Sequence, residues 1–331
     1  MKFLHLVLYS PAPYYDKMMQ YTRTWYARFE PDVKTLYYYG DPSLSEPVID
    51  EEKKLLILPM SETYIPGILN KTIAALEFFF AQKDIVYDFV IRSNISSVLN
   101  FPHLLPLLQN VQHALFFGST LCSMLAPVSE TTKIICDIVP NLRFAHGTCL
   151  FFHPRAIEFL LSKKQLLRQD AEDDVTISLL FTQTQEEHKG LFLPRSLGLQ
   201  YAGFNATGYN FDNVSCFRNH HFGSDRSLDV VNVERITKAM HARHDLRVKP
   251  SNPIKMVTYG DKLDVTKYII LLCKVATNFV SDNDNSKLDY LFTDPSPGIA
   301  KVLQVTFADG SMFVQGAALT FFLQNKELCV K

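Results

Sequence analysis

Short apolar runs that each stop at a small polar turn, separated by stretches of helical spacing, constrain this chain most. Lys2 to Tyr9 is nearly all apolar and ends at Ser10-Pro11, the profile of a strand buried on both faces. Tyr14 to Arg28 follows with aromatic residues at helical spacing. Val33 to Tyr39 is a second strand-like run, closed by Gly40-Asp41-Pro42, and Lys54 to Leu58 is a third. Ile68 to Ala81 predicts a helix with Ile73, Leu76, Phe79 and Phe80 apolar, and Tyr87 to Asn94 reads as a strand entering a polar turn. Strands alternating with helices predict an α/β domain with a mostly parallel sheet flanked by helices. Such sheets bind ligands outside the carboxyl ends of their strands. Tyr9-Ser10, Tyr39-Gly40-Asp41 and Arg92-Ser93-Asn94 are therefore the loops where function is expected.

The pattern changes near Lys249-Pro-Ser-Asn-Pro253. Beyond it the strands are short and β-branched, with Gly, Asp and Pro turns between them, which predicts a small, mainly β appendage. The expected division is a large domain over 1–249 and an accessory domain over 250–331, a length that suits one large unit and one small one.

Bulk properties remove several function classes. A formal net charge of −1 provides no global field toward nucleic acid or an anionic membrane. No apolar run approaches the roughly 20 residues that span a bilayer, and the apolar start reads as a first strand, not a leader. The six cysteines show no CxxC pairing, which points to reduced thiols in the cytoplasm. Glycine-rich phosphate loops, a G-x-S-x-G elbow and HExxH are absent from the sequence.

Four segments carry polar chemistry. Arg92-Ser93-Asn94 ends the Tyr87 strand, either as a ligand-facing turn or as a simple polar cap. Ala145-His146-Gly147-Thr148 precedes another apolar run, and Gly147 allows a close backbone approach. Gln169-Asp170-Ala-Glu172-Asp173-Asp174 precedes Val175, Ile177, Leu179 and Leu180. Those acids suit a helix N-terminus, and a fixed, ionised carboxylate there also suits a general base. Arg218-Asn-His220-His221-Phe-Gly-Ser-Asp-Arg226 gathers two arginines and two histidines within nine residues. That group matches an anionic diphosphate or, through His220 or His221, a metal; a solvated basic loop is the alternative.

In order, these segments resemble GT-A glycosyltransferases of the fringe and β1,3-galactosyltransferase-like type, including viral and bacterial relatives. Glu62-Thr-Tyr64 with Leu69-Asn-Lys71-Thr resembles that family's acid-x-Tyr and Leu-x-x-Lys-Thr pattern. Tyr87 to Ser97 stands where the Asp-x-Asp strand stands, and His146-Gly147-Thr-Cys-Leu-Phe-Phe resembles the acceptor-side Ser-Gly-x-Gly-Tyr segment. Glu172-Asp173-Asp174-Val-Thr-Ile-Ser resembles the Asp-Asp-Val-x-x-Gly motif that holds the base. The similarity covers about residues 1–245.

The resemblance implies a GT-A-like fold and inverting transfer of a sugar from a nucleoside-diphosphate sugar, UDP- or GDP-linked, to a hydroxyl of a glycan or other glycoconjugate. It implies Asp174 as base with Asp173 in reserve. Donor contacts would come from Tyr9, Ser10, Lys71, Arg92, Ser93, Asn94, Arg218, His220 and Arg226, and acceptor contacts from His146 and Gly147. Two departures stand out. Ser93-Asn94-Ile95 replaces the acids that would hold Mn²⁺ or Mg²⁺, and Ser178 replaces a glycine. The first leaves a divalent cation without its usual ligands, so the cations of this chain would neutralise the diphosphate instead. It also supports the alternative of a non-catalytic sugar- or nucleotide-sugar-binding protein on the same fold. A transferase of this kind would work in the cytoplasm, the host cytoplasm if its source is a virus.

Overall fold

A computed structural model of the chain describes residues 1–82, 87–110, 116–118, 121–122, 130–138, 144–183, 192–196, 199–202, 211, 214–219, 225–248, 254–259, 263–267, 269–270, 278–281, 303–307, 312–314, 319–324 and 327–330. They divide into two compact units, one of 1–201 with 213–234 and the other of 202–212 with 235–331.

The first unit is built on an eight-stranded sheet. Its centre is β1 (Phe3–Leu8), β2 (Val33–Gly40), β4 (Leu55–Leu58) and β5 (Phe89–Asn94), with the short β3 (Val48–Asp50) at one edge. β1 pairs in parallel with both β2 and β5, and β2 with β4. Three helices make or flank these crossovers: α1 (Pro13–Tyr26), α2 (Gly67–Phe80) and, after the edge strand β6 (Ser97–Leu99), α3 (Phe101–Asn110). The alternating runs thus build the α/β sheet that the sequence predicts. Pro13 supplies a fixed φ in the first turn of α1.

Strand alternation sorts the core. Leu4, Leu6, Leu36, Tyr38 and Val90 point to one face, against Leu69, Ile73, Leu76 and Phe79 of α2. His5, Tyr37 and Ser93 point to the other. There His5 packs edge-on against Tyr26 at 4.7 Å and Phe101 at 5.5 Å, and the Thr22 and Tyr37 hydroxyls meet at 2.8 Å.

On the other side of β5 the strand β10 reverses direction. β7 (Phe116–Gly118), β8 (Leu121–Cys122), the helix α4 (Glu130–Ile138) and β9 (Phe144–Ala145) precede β10 (Cys149–Phe152), which is antiparallel to both β5 and β7. β11 (Phe192–Ser196) closes that side, parallel to β7. Because β10 runs backward, the turn at its start, His146 to Thr148, lies at the carboxyl edge of the parallel strands. Cys149 aligns with Ser93, and Asn94 N–H donates to the Thr148 carbonyl at 3.2 Å. α5 (Pro154–Ser162) and α6 (Asp173–Gln183) then return over the face that carries Leu150 and Phe152. The strand Cys216–Asn219 pairs antiparallel with β6.

In the second unit, Ile254–Tyr259, Leu263–Asp264, Leu303–Phe307 and Met312–Val314 form one antiparallel sheet, and Asn278–Ser281, Leu319–Gln324 and Glu327–Val330 form another. Val257, Tyr259, Leu303 and Val305 are buried. The expected turn at Asp294-Pro-Ser-Pro-Gly298 lies outside the described residues.

Gly118 matters to the placement of the reversed turn. A Cβ there would stand 2.8 Å from Ala145 Cβ and 3.0 Å from its Cα, closer than carbon atoms pack. Gly118→Ala is expected to cost about 1–3 kcal/mol of stability by urea denaturation, and a loss near zero would show that β7 and β9 can part freely.

Candidate functional site

The carboxyl edge of β1, β2 and β5 gathers two polar clusters. The first is built on Arg92, whose side chain points from β5 into the α2–α6 face of the sheet and is 2% exposed. A buried guanidinium requires partners. Nη1 donates to Asn94 Oδ1 at 3.0 Å and to the Gly147 carbonyl, and Nη2 lies 2.8 Å from Asp173 Oδ2 as an ion pair. The Tyr38 hydroxyl, itself 2.9 Å from Thr72 Oγ1, meets the same guanidinium. Arg92 Nε has no hydrogen-bond partner among the described residues.

Asp174 completes this cluster from the first turn of α6. Its Oδ2 accepts Gly147 N–H at 2.6 Å and its Oδ1 accepts Val175 N–H at 2.9 Å. Gly147 therefore bridges two side chains, its carbonyl to Arg92 and its N–H to Asp174. A Cβ on residue 147 would lie 2.9 Å from Asp174 Oδ2 and 3.1 Å from Cγ, so any larger residue would push the Asp174 carboxyl from this position. Desolvation, then the charge of Asp173, pushes the Asp174 carboxyl up to about 7; the Gly147 N–H, Arg92 and the Val175 N–H oppose that rise. The residue as a whole is half-buried.

The neighbouring acids have other partners. Thr132 donates its hydroxyl to Glu172, while Asp170 pairs with Arg168 at 2.9 Å and accepts from Thr131 at 3.1 Å. Further along α6, the Thr176 hydroxyl accepts Arg168 N–H at 2.7 Å and Ser178 Oγ accepts Ala145 N–H at 3.0 Å. Ser178, where the resembled family has glycine, thus ties α6 to the end of β9.

The second cluster centres on Glu62. Its Oε1 accepts Gly40 N–H at 2.6 Å, its Oε2 accepts the Ser10 hydroxyl at 2.6 Å, and both oxygens lie 2.6–2.7 Å from Lys71 Nζ. The partners register this pair differently. Burial raises Glu62, but the bonds from Lys71, Ser10 and Gly40 outweigh it and hold the carboxyl below its ordinary value. Lys71 is 1% exposed, and there burial outweighs the carboxylate and lowers the amine. The deeper partner is the better guide to net energy: this pair locks positions more than it stabilises.

The other sequence candidates fall around these clusters. Tyr9 donates its hydroxyl to Asp16 and meets Tyr39 edge-on at 5.7 Å. Ser93 faces the opposite side of the sheet, its Oγ 2.8 Å from His5 Nε2. Burial pushes that His5 down to about 3, so the pair is neutral. His146 Nδ1 meets the Thr148 N–H at 3.2 Å and its hydroxyl. Arg218 bonds Ser96 Oγ, and Arg226 pairs with Asp229 at 2.8 Å and lies 6.0 Å from the Tyr15 ring centroid. His220 and His221 lie outside the described residues.

Two residues outside the sequence candidate set belong with the site. Glu62 is the hub just described. Tyr64, two residues on, is 57% exposed, and its phenol is raised by sheltering of the hydroxyl and by Glu172, Asp173 and Asp174, with Arg218 opposing. Their acid-x-Tyr spacing was the available signal. What it could not give is that the acid reaches the buried Lys71 while the ring stands exposed.

The donor set at Arg92-Ser93-Asn94 does not fit a divalent cation. A buried guanidinium occupies the first position, the second faces away, and Asp173 is already neutralised by Arg92. Among the described residues no group of three His, Cys, Asp or Glu side chains converges as metal ligands, and no helix is long and apolar enough to cross a membrane.

No protein-family model and no curated protein sequence matches the chain. Solved structures that it resembles include a glycosyltransferase involved in glycosylation of the major capsid of PBCV-1, at 10% identity, TM-score 0.40, covering 71% of this chain and 99% of that one. Mouse xyloside xylosyltransferase 1 overlaps at 13% identity and TM-score 0.39, over 66% and 98% of the two chains. The galactosyltransferase LgtC overlaps at 11% and 0.39, over 72% and 95%. All three are glycosyltransferases, and scores this low leave the weight on the geometry above.

Removing Glu62 alone strands a buried lysine. Glu62→Gln is expected to lose about 3–5 kcal/mol, with part regained when Lys71→Met is added. Urea denaturation of the singles and the double measures this, and strictly additive losses would refute the lock.

Proposed function

We propose that this chain is an inverting glycosyltransferase that uses a nucleoside-diphosphate sugar, with residues 1–249 as its catalytic domain and 250–331 as an accessory module. The observation that carries the reading is Asp174: a half-buried residue whose desolvated carboxyl is raised to about 7 and held by the N–H of a glycine turn at the carboxyl edge of a parallel sheet. A general base works best when its pKa lies near the working pH.

In the proposed reaction the acceptor hydroxyl sits between Asp174 and the anomeric carbon of the donor sugar. Asp174 takes the hydroxyl proton as the acceptor oxygen bonds to that carbon. The bond from carbon to the diphosphate oxygen breaks, and the diphosphate leaves with the electron pair, so configuration inverts in one displacement. Asp173 is bound to Arg92 and serves as the reserve acid. The sequence of Ser10, Asn94, Arg218, His220 and Arg226 supports contacts to the donor, with Tyr9 beside Ser10. Lys71 and Arg92 are buried in ion pairs and act from beneath. Ser93, turned to the other face, has no part in this scheme. His146 and Gly147 line the acceptor side, where exposed Tyr64 offers a ring face to a sugar. The buried free thiols Cys149 and Cys216 support a reducing compartment, as expected of a cytoplasmic enzyme.

No step passes through a metal ion, because the donors at Arg92-Ser93-Asn94 do not suit one. Turnover is therefore expected to survive chelation by EDTA; complete loss restored by Mn²⁺ would reverse that point.

One observation favours a binding protein that retains the fold: Arg92 and Asp173 neutralise each other where paired acids are usual. Asp174→Asn separates the readings. A catalytic base predicts a loss of about 10²–10⁴-fold in kcat with nucleotide-sugar binding intact by calorimetry. Wild-type kcat/KM should fall tenfold per unit as pH drops below about 7, since the ionised form is the active one. An Asn variant as active as wild type would remove Asp174 from the reaction.

A further inference from the structure

Arg92 has the geometry of a strut. Its guanidinium is 2% exposed, so a sugar diphosphate outside the sheet does not reach it without displacing the groups above it. Those groups are the Gly147 carbonyl, Asn94 Oδ1 and Asp173 Oδ2, drawn from the β10 turn, the end of β5 and the start of α6. Three elements that meet at one edge of the sheet thus share one cation from below. Gly147 is held twice, by Arg92 through its carbonyl and by Asp174 through its N–H at 2.6 Å.

We infer that Arg92 is a positioning residue: it fixes the Gly147 turn and Asp173 so that Asp174 keeps one place and one charge environment at the acceptor hydroxyl. This rests on the transferase reading for its meaning in catalysis, but not for its physical content. Two adjacent acids at the start of α6 would otherwise compete. With Asp173 committed to the guanidinium, Asp174 is left to the Gly147 N–H. The titratable and charged groups around Asp174 are Asp173 beside it in the first turn of α6, Glu172 just before that helix, Arg92 from β5, and the phenol of Tyr64 from the segment before α2. Among these only Arg92 is positive beside it, and only Asp173 is both adjacent and negative.

The two partners then act with opposite sign. Removing the cation leaves Asp174 facing Asp173 without relief, so its carboxyl titrates higher. Removing the charge of Asp173 takes away the like charge and frees Arg92 for Asp174, so the carboxyl titrates lower. The conservative change Arg92→Lys keeps the charge but not the fork that spans carbonyl and carboxylate.

Titration of Asp174 by carbon-13 NMR of aspartate-labelled protein, assigned with Asp174→Asn, tests this. Arg92→Gln is expected to raise the midpoint by about one pH unit or more and Asp173→Asn to lower it by a similar amount. Arg92→Lys should hold it close to wild type. Amide exchange at Gly147 should quicken in Arg92→Gln and in Arg92→Lys, since both release its carbonyl. In turnover, Arg92→Lys should lower kcat with donor KM little changed, and the acid limb of the rate profile should move with the NMR midpoint in each variant. Should Arg92→Gln fail to fold, Asp173→Asn decides, and a midpoint that does not fall overturns the inference. Midpoints fixed at the wild-type value in both variants overturn it whether or not the wild type transfers sugar. A wild type and Asp174→Asn that are equally inert would sink the transferase reading, while opposite NMR shifts would still uphold the role of Arg92.

Discussion

A guanidinium withdrawn from water must be met on its nitrogens, and the first unit is arranged around that demand. Arg92 stands in the face of the sheet that also holds Leu4, Leu6 and Val90, where an unpaired charge would be severely unfavourable. The carbonyl of Gly147 and the carboxylate of Asp173 meet it, and both come from segments far along the chain from β5. The sheet edge, the reversed turn and the first turn of α6 are thereby fixed by one cation. The carboxyl of Asp174 inherits its position from that arrangement, through the N–H of the same glycine.

Lys71 repeats the device at the other end of the edge. It too is buried, and it draws Glu62 inward; Glu62 in turn holds the loop after β1 through Ser10 and the end of β2 through Gly40. Two buried cations thus reinforce loops that backbone bonds such as Ile95 N–H to the Leu8 carbonyl and Asn94 N–H to the Thr148 carbonyl already join. Loops at the carboxyl ends of parallel strands carry unsatisfied backbone groups, and here the Glu62 carboxylate takes up the Gly40 N–H and the Arg92 guanidinium the Gly147 carbonyl. What reaches solvent is the complement: the ring of Tyr64, and part of the half-buried Asp174.

Much of this architecture can be read from the chain itself, because it depends on local rules. Apolar runs ending at Ser10, Gly40 and Asn94 mark strand ends, and the acids before Val175 mark the start of a helix. The predicted helix 68–81 is Gly67–Phe80. Other features depend on pairing across distance. Nothing local says that Cys149–Phe152 runs against β5 and so carries Gly147 to the working edge. Alternation alone turns Ser93 toward His5 and Arg92 the other way, yet the direction of each face appears only once the helices pack. The inward turn of Glu62 is likewise invisible until Lys71, nine residues on, proves to be buried.

The hydroxyls of α6 have a consequence of their own. Thr176 and Ser178 are two residues apart, about 200° around a helix, so the backbone N–H groups of Arg168 and Ala145 grip α6 from nearly opposite sides. A helix held at two such points cannot roll. A roll of about 100°, one residue's worth, would bring Asp173 to where Asp174 stands and carry Asp174 toward the guanidinium. Those two neutral hydroxyls work as a key in a slot: they take no part in any charge, yet they help keep Asp173 at the guanidinium and Asp174 at the Gly147 N–H.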